Sequence, residues 1–206
     1  MPLKNNMART SETGFSLLEL IIAMSITLAV MTAATTLLAS SLRVRTRENT
    51  RSEALASAQR ALNIMTREIG NSGYGLTDNG IVIADSSASS IRVRANLNNN
   101  TVLTNTDEDV RFVFQNNGGN GLIIRFDNSL GVAGNVVLAN NISALNLTYL
   151  DLNGNAIANP ASYGAAERVR IDVQVNLPAA PEQPASTVRL LSEVALRNAT
   201  NTLNGF

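Results

Sequence analysis

Glu19 is the one charged residue in the stretch FSLLELIIAMSITLAVMTAATTLLASSL, residues 15–42. A carboxylate near the start of an apolar run costs about 3 kcal/mol or more when it stands unpaired in lipid, and marks a functional site by default. It needs a cation or a donor at the same depth, and its own helix offers none. A cut between Gly14 and Phe15 would create one: the new α-ammonium of Phe15 lies just over one turn from Glu19. That cation can pair with Glu19 of the same chain or with Glu19 of a neighbouring subunit. The plain alternative is an interfacial glutamate that snorkels to the headgroups.

Two other acidic segments invite a chemical reading. Asp151-Leu-Asn153-Gly154-Asn155 is a weak calcium-loop candidate through Asp151 and Asn153. It departs from the D-x-N-x-D/N-G spacing and lacks the closing bidentate Glu. Asn-Gly after a strand is a preferred hairpin turn, and a turn is the expectation here. Asp107-Glu108-Asp109 is an acidic run before a strand, and a solvated loop is expected rather than a metal site.

Composition removes most other chemistry. The chain has no His and no Cys. Imidazole bases, Ser-His-Asp triads, thiol nucleophiles, zinc clusters and disulfides are thereby excluded. Carboxylate-only catalysis survives on composition, but no carboxylate pair stands in a recognisable catalytic context. No enzyme activity and no cofactor are expected. The 16 basic and 16 acidic residues balance, Trp is absent and aromatics make up 4%, which argues against nucleic acid as a partner. Lys4 is the only lysine, and the 26 asparagines concentrate after residue 70, a composition more usual of an exposed β domain.

The elements that must position Glu19 follow from periodicity. From Leu20 to Ala39 no residue is charged, a run of about 30 Å at 1.5 Å per residue, which matches a bilayer's hydrocarbon core. It is too long for a secretory h-region, and no A-x-A-like site follows it. Thr27, Thr32, Thr35 and Thr36, with Ala33 and Ala34, are small or hydroxyl residues that permit close helix–helix approach, or filler in a lone span. Past Leu42 a narrower stripe of Leu55, Ala58, Leu62, Met65 and Ile69 takes over. No Pro or Gly interrupts residues 15–69, and Gly70, Gly73 and Gly75 then stop the helix, so one helix of about 80 Å is predicted.

Residues 71–206 read as β. Ile91 to Ala95, Val110 to Phe114, Leu122 to Phe126, Val136 to Leu138, Ile142 to Leu152, Val169 to Leu177 and Val188 to Leu196 are the expected strands, with a hairpin across residues 116–120. In the strand from 168, Val169, Ile171, Val173, Val175 and Leu177 alternate with Arg168, Arg170, Asp172, Gln174 and Asn176. One face is wet, so the sheet is expected to be antiparallel and half-covered, with the helix stripe as its cover. Pro178, Pro181 and Pro184 make the link to the last strand stiff. The fold class is α+β: a long N-terminal helix, transmembrane over 15–42 and amphipathic over 43–70, packed on an antiparallel sheet domain over 71–206.

Gly14-Phe15-Ser16-Leu17-Leu18-Glu19, after a short polar basic leader and before an apolar run, resembles the class III signal of type IV prepilins. The resemblance implies a leader over 1–14, cleavage after Gly14 by a prepilin peptidase on the cytoplasmic side, N-methylation of Phe15, and a role for Glu19 in subunit assembly. The rest is similar to PilW-like minor pilins and minor pseudopilins. The segment from Met65 through Tyr74 to Gly75 resembles that group's helix end, and Val194-Ala-Leu-Arg-Asn198 its last strand. The chain lacks a helix-breaking Pro or Gly in the apolar run and a C-terminal Cys pair, which disfavours a major pilin. Arg43, Arg45, Arg47 and Arg51 flank the far end of the span and oppose this orientation under the positive-inside rule. The peptidase requires the leader inside, and that orientation is adopted here.

The resemblance implies a minor pilin of a type IV pilus, with other major and minor pilins or pseudopilins as partners through the helix. The subunit would sit in the bacterial inner membrane, globular domain outside, before it enters the filament. A minor pseudopilin of type II secretion is the alternative, and a monomeric membrane-anchored binding domain the second. A plain anchor needs neither the Gly14-Phe15 junction nor Glu19.

Overall fold

The computed structural model describes residues 14–100, 102–116, 118, 120–177, 179 and 184–199. The leader expected over 1–14, apart from Gly14, lies outside them. So do Pro178 and Pro181 of the expected stiff link and Asn117 and Gly119 of the hairpin. The chain divides into two compact units, Met1–Glu48 and Asn49–Phe206. One helix, α1, runs Leu17–Gly70.

In the first unit α1 is apolar on every side. Each large apolar side chain from Leu17 to Leu42 leaves half or more of its surface exposed. Most hydroxyls in this stretch bond carbonyls of their own helix. Ser25 donates to the carbonyl of Ile21 (2.8 Å), Thr27 to Ala23 (2.7 Å), Thr32 to Leu28 (2.8 Å) and Thr36 to Ala33 (2.8 Å). A hydroxyl that back-bonds its own helix brings no unpaired polar group into an apolar medium.

In the second unit one face of α1 is buried. Ala54, Ala58, Ala61, Leu62, Met65 and Ile69 are its buried apolar residues. Leu55, expected in the stripe, is only partly buried. The steps from 54 to 58, 61, 65 and 69 trace one helical face, and Leu55 lies on its flank. The three alanines let the helix backbone come close to the sheet.

The six strands form one antiparallel sheet in the order β1 (Ser90–Arg94), β2 (Asp109–Gln115), β3 (Gly121–Asp127), β4 (Val136–Leu150), β5 (Arg168–Leu177) and β6 (Ser186–Ala195). The fold is therefore α+β, as the patterning predicts. β2 and β3 form the expected hairpin, with Gln115 opposite Leu122. On β5, Val169, Ile171, Val173, Val175 and Leu177 are all buried. They share the core with the α1 face, Phe112, Ile142 and Leu147.

Three expectations need correction. The segments Val136–Leu138 and Ile142–Leu152, expected as separate strands, are one strand that ends at Leu150. Asn140 and Asn141, which lie between the two segments, belong to the strand. Asn141 takes φ 56°, a left-handed conformation asparagine tolerates, and the register shifts between Ile142 and Ala144. There β4 leaves β3, whose pairing ends at Ile142, and its partnership with β5 begins. Asp172, expected on the wet face of β5, is buried. Arg189 of β6 folds over it, with Nε–Oδ1 at 2.9 Å and Nη2–Oδ2 at 2.7 Å. The third concerns the acidic run 107–109 and is described with the site.

The end of α1 is tied to the sheet by polar contacts. Arg125 faces inward on β3 and donates to Glu68 at 2.8 Å, and Thr66 meets the Ser192 hydroxyl at 3.2 Å. Truncation of Leu62, 4% exposed, to alanine should cost about 2–5 kcal/mol, as buried leucine truncations do. Arg60→Ala, on the exposed side, should cost under about 0.5 kcal/mol. Thermal melts of a fragment from about residue 45 onward measure both. Equal melts for Leu62→Ala and the parent would mean that the stripe does not pack on its own sheet.

Candidate functional site: the N-terminal junction

Helix α1 does not reach the Gly14-Phe15 bond. Gly14, Phe15 and Ser16 are outside any regular element, and the first helical turn closes with the Leu20 amide donating to the Ser16 carbonyl at 3.1 Å. Serine is favoured at a helix start because its side-chain oxygen can accept from the free amides of the first turn. Phe15 is 81% exposed. A methyl group built on Gly14 would meet nothing within 4 Å, and Gly14 has no left-handed backbone. Nothing in the described fold therefore requires glycine at position 14. The bond beside it is exposed and free of secondary structure, the state a peptidase needs in a substrate.

Glu19 sits in the first turn of α1, where a carboxylate faces the positive end of the helix dipole. It is exposed, and no ion pair forms to it among the described residues. Gly14 and Phe15 thus lie just before the helix and Glu19 in its first turn.

The other acidic candidates make local hydrogen bonds. The Asp151–Asn155 loop is a turn: the Gly154 amide donates to the Asp151 carbonyl at 3.0 Å, and Gly154 takes φ 82°. Asp151 spends Oδ1 on the Asn155 amide (2.7 Å) and Oδ2 on the Asn155 side chain (3.2 Å). The Asn155 amide is the main reason the Asp151 carboxyl lies below the usual carboxylate range. Asn153 is exposed in the same turn. Among the described residues no group of three or more acidic side chains is placed to hold a metal ion.

Of the run Asp107-Glu108-Asp109, expected as a solvated loop, only Asp107 is exposed. Glu108 is 1% exposed and Asp109 6%. Glu108 is buried because backbone and side-chain donors surround it. Its Oε1 accepts from the Leu97 amide at 3.2 Å, and its Oε2 accepts from the Asn105 amide and side chain, each at 3.1 Å. Asp109 is buried because arginines on β1 reach across to it. Arg92 binds it through Nε–Oδ1 and Nη2–Oδ2, both 2.7 Å, Arg94 adds Nε–Oδ2 at 3.0 Å, and Asn128 donates at 2.9 Å. The partners of Glu108 lie in its own β1–β2 connection and those of Asp109 on β1 and after β3, so a reading of local charge alone misses them.

Asp109 has a consequence for acid stability. Burial pushes its carboxyl up, but the hydrogen bonds from Arg92 and Asn128 and the Arg92 charge outweigh this and hold it below the usual range. A carboxyl held low in the folded state stabilises fully above its unfolded pKa of about 3.9. That stability disappears as pH falls through the folded value. Stability of the protein should therefore fall below about pH 4. Asp109→Asn should cost about 2 kcal/mol at neutral pH and flatten the acid limb. Chemical melts at pH 7 and pH 3 check this. An acid limb unchanged in the variant would remove Asp109 from the account.

Sequence similarity singles out the N-terminal junction rather than the sheet. The family described as the prokaryotic N-terminal methylation motif matches residues 9–35, which takes in Gly14, Phe15 and Glu19. No curated protein is significantly similar to the chain. The motif is a structural, pilin-type one and not an enzyme class, and α1 is long and apolar enough to cross a membrane. Together the motif and the helix support a type IV pilin-like or pseudopilin-like protein with a membrane-capable N-terminal helix.

Proposed function

We propose that this chain is a PilW-like minor pilin of a type IV pilus. In this reading the leader stays in the cytoplasm and prepilin peptidase cuts between Gly14 and Phe15. The new Phe15 amine is methylated, and the subunit waits in the inner membrane with its sheet domain outside. It then enters the filament through α1, where Glu19 pairs with the α-ammonium of a neighbouring pilin. The observation that carries the reading is the junction itself. An exposed Gly-Phe bond, a glycine the described fold does not require, and a lone carboxylate one turn later coincide inside the matched motif.

Two features favour a minor over a major subunit. The described apolar run is one unbroken helix, and the chain has no cysteine for a C-terminal loop. The two segments that resemble PilW-like proteins also meet. Asn198 donates to the carbonyls of Gly73 and Leu76, and the Arg197 amide to Gly70. That contact holds the helix end and the end of the last strand together, which gives both segments a structural reason to be kept as a pair.

Deletion of the gene tests the choice of machine. The pilus reading expects loss of surface filaments, restored by the wild-type gene, with the protein as a trace component of sheared filaments. Intact filaments with loss of protein secretion would instead identify a type II pseudopilin.

A further inference from the structure

We propose that Arg43, Arg45 and Arg47 dock the phosphate headgroups of anionic lipids in the leaflet facing away from the leader. The proposal rests on the membrane-spanning reading of α1. Residues from Leu20 to Leu42 carry no charge. At 1.5 Å per residue they cover about 34 Å, slightly more than a hydrocarbon core of about 30 Å. Arg43 is the first charged residue past that core. The helix continues without a break, so the three guanidinium-bearing positions follow within about 6 Å of rise.

These arginines differ from those of the sheet. Arg92, Arg94, Arg111, Arg125, Arg168, Arg170 and Arg189 each have an acidic partner within 4.0 Å. Arg43, Arg45 and Arg47 have none among the described residues, and Arg43 and Arg45 are exposed. Three unpaired cations at one depth also oppose the usual placement of basic residues on the cytoplasmic side. Lying just past the apolar run, they are placed where an external anion can meet them.

The angular arrangement selects its kind. At about 100° per residue Arg43 and Arg47 share one side of the helix and Arg45 points to the opposite side. A single protein neighbour covers one side. A layer of headgroups surrounds the helix and meets both. Arginine, with its planar fork of donors, suits phosphate oxygens in two-point contact. Such contacts would hold the subunit in the bilayer until a filament offers carboxylates in exchange.

The test uses the full chain in vesicles of equal phosphatidylglycerol and phosphatidylcholine. The chain has no native cysteine, so Val44→Cys, at an exposed position, takes a single fluorophore. Brominated acyl chains are then placed on one lipid or the other. Brominated phosphatidylglycerol should quench about threefold more than brominated phosphatidylcholine, and about 1 M salt should reduce the difference. Arg43→Gln/Arg45→Gln/Arg47→Gln should quench equally with both lipids, and the triple lysine variant should keep the preference. Added inorganic phosphate at matched ionic strength should change nothing. Competition by free phosphate, or equal quenching in the parent, overturns the proposal. Loss of preference in the lysine and glutamine variants alike traces it to helix damage and overturns it too. A chain that alkaline carbonate strips from the vesicles overturns the membrane reading together with the proposal. A chain that resists carbonate but shows no lipid preference overturns the proposal alone.

Discussion

Glu19→Ala should leave processing and membrane insertion intact and lower co-purification with other pilins by on the order of a hundredfold. The physical reason lies in what the substitution leaves behind. In the membrane before assembly the carboxylate is exposed and has no ion pair among the described residues, so alanine makes the lone span more comfortable. In the assembled state the carboxylate is expected to meet a neighbour's α-ammonium in apolar surroundings. Removal of one member of such a pair strands the other, at about 3–5 kcal/mol. Recovery of partner pilins from solubilised membranes, compared between parent and variant, reads this directly. Equal recovery would favour a plain anchor whose glutamate reaches the headgroups.

Gly80→Ala should be the most damaging small substitution in the sheet domain. Gly80 takes φ +72°, and a methyl group there would stand 2.3 Å from the Arg94 carbonyl oxygen and 2.3 Å from the Gly73 amide nitrogen. Both are backbone atoms held by the bonds that tie the loop after α1 to β1: Arg94 donates to the Gly80 carbonyl at 2.8 Å, and Gly73 donates to the Arg94 carbonyl at 2.8 Å. Neither can yield without breaking that tie. The left-handed backbone alone costs about 1–2 kcal/mol, and the clash should raise the total to about 4 kcal/mol. Gly131→Ala is the control, since Gly131 has φ +59° but open space around it, and should cost about 1 kcal/mol. A chain of this size loses about 2–4 °C in Tm per kcal/mol, so the two variants should separate by several degrees. Equal melts would mean that the loop relaxes freely.

These positions show what could be read without coordinates. The alternation from Arg168 to Leu177 and the helix through Ile69 depend on periods of two and 3.6, which are local, and both are legible. The Gly14-Phe15-Glu19 junction is legible for the same reason, since its parts lie within six residues. Glu108 and Asp109 are not, because their burial depends on Leu97, Arg92 and Asn128, which neighbouring strands and loops bring to them. Gly80 reads only as a turn residue until Arg94 and Gly73 are placed against it. The continuity of β4 through Asn141 is not legible either, because a left-handed residue inside a strand leaves no mark on the alternation to either side. Asn198, which joins the chain's last described turn to the loop after α1, had no local signal beyond its resemblance.

In the proposed function the chain is made as a prepilin and matured at one bond. Loss of residues 1–14 removes Lys4, Arg9 and Glu12 and leaves 14 basic residues, all arginine, against 15 acidic ones. Intact-mass and N-terminal analysis of the protein extracted from membranes of peptidase-positive cells measures this most directly. Phe15 is expected as the first residue, carrying one methyl group on its amine, with a full-length chain when the peptidase is absent. An N-terminus at Met1 in cells with an active prepilin peptidase would contradict it.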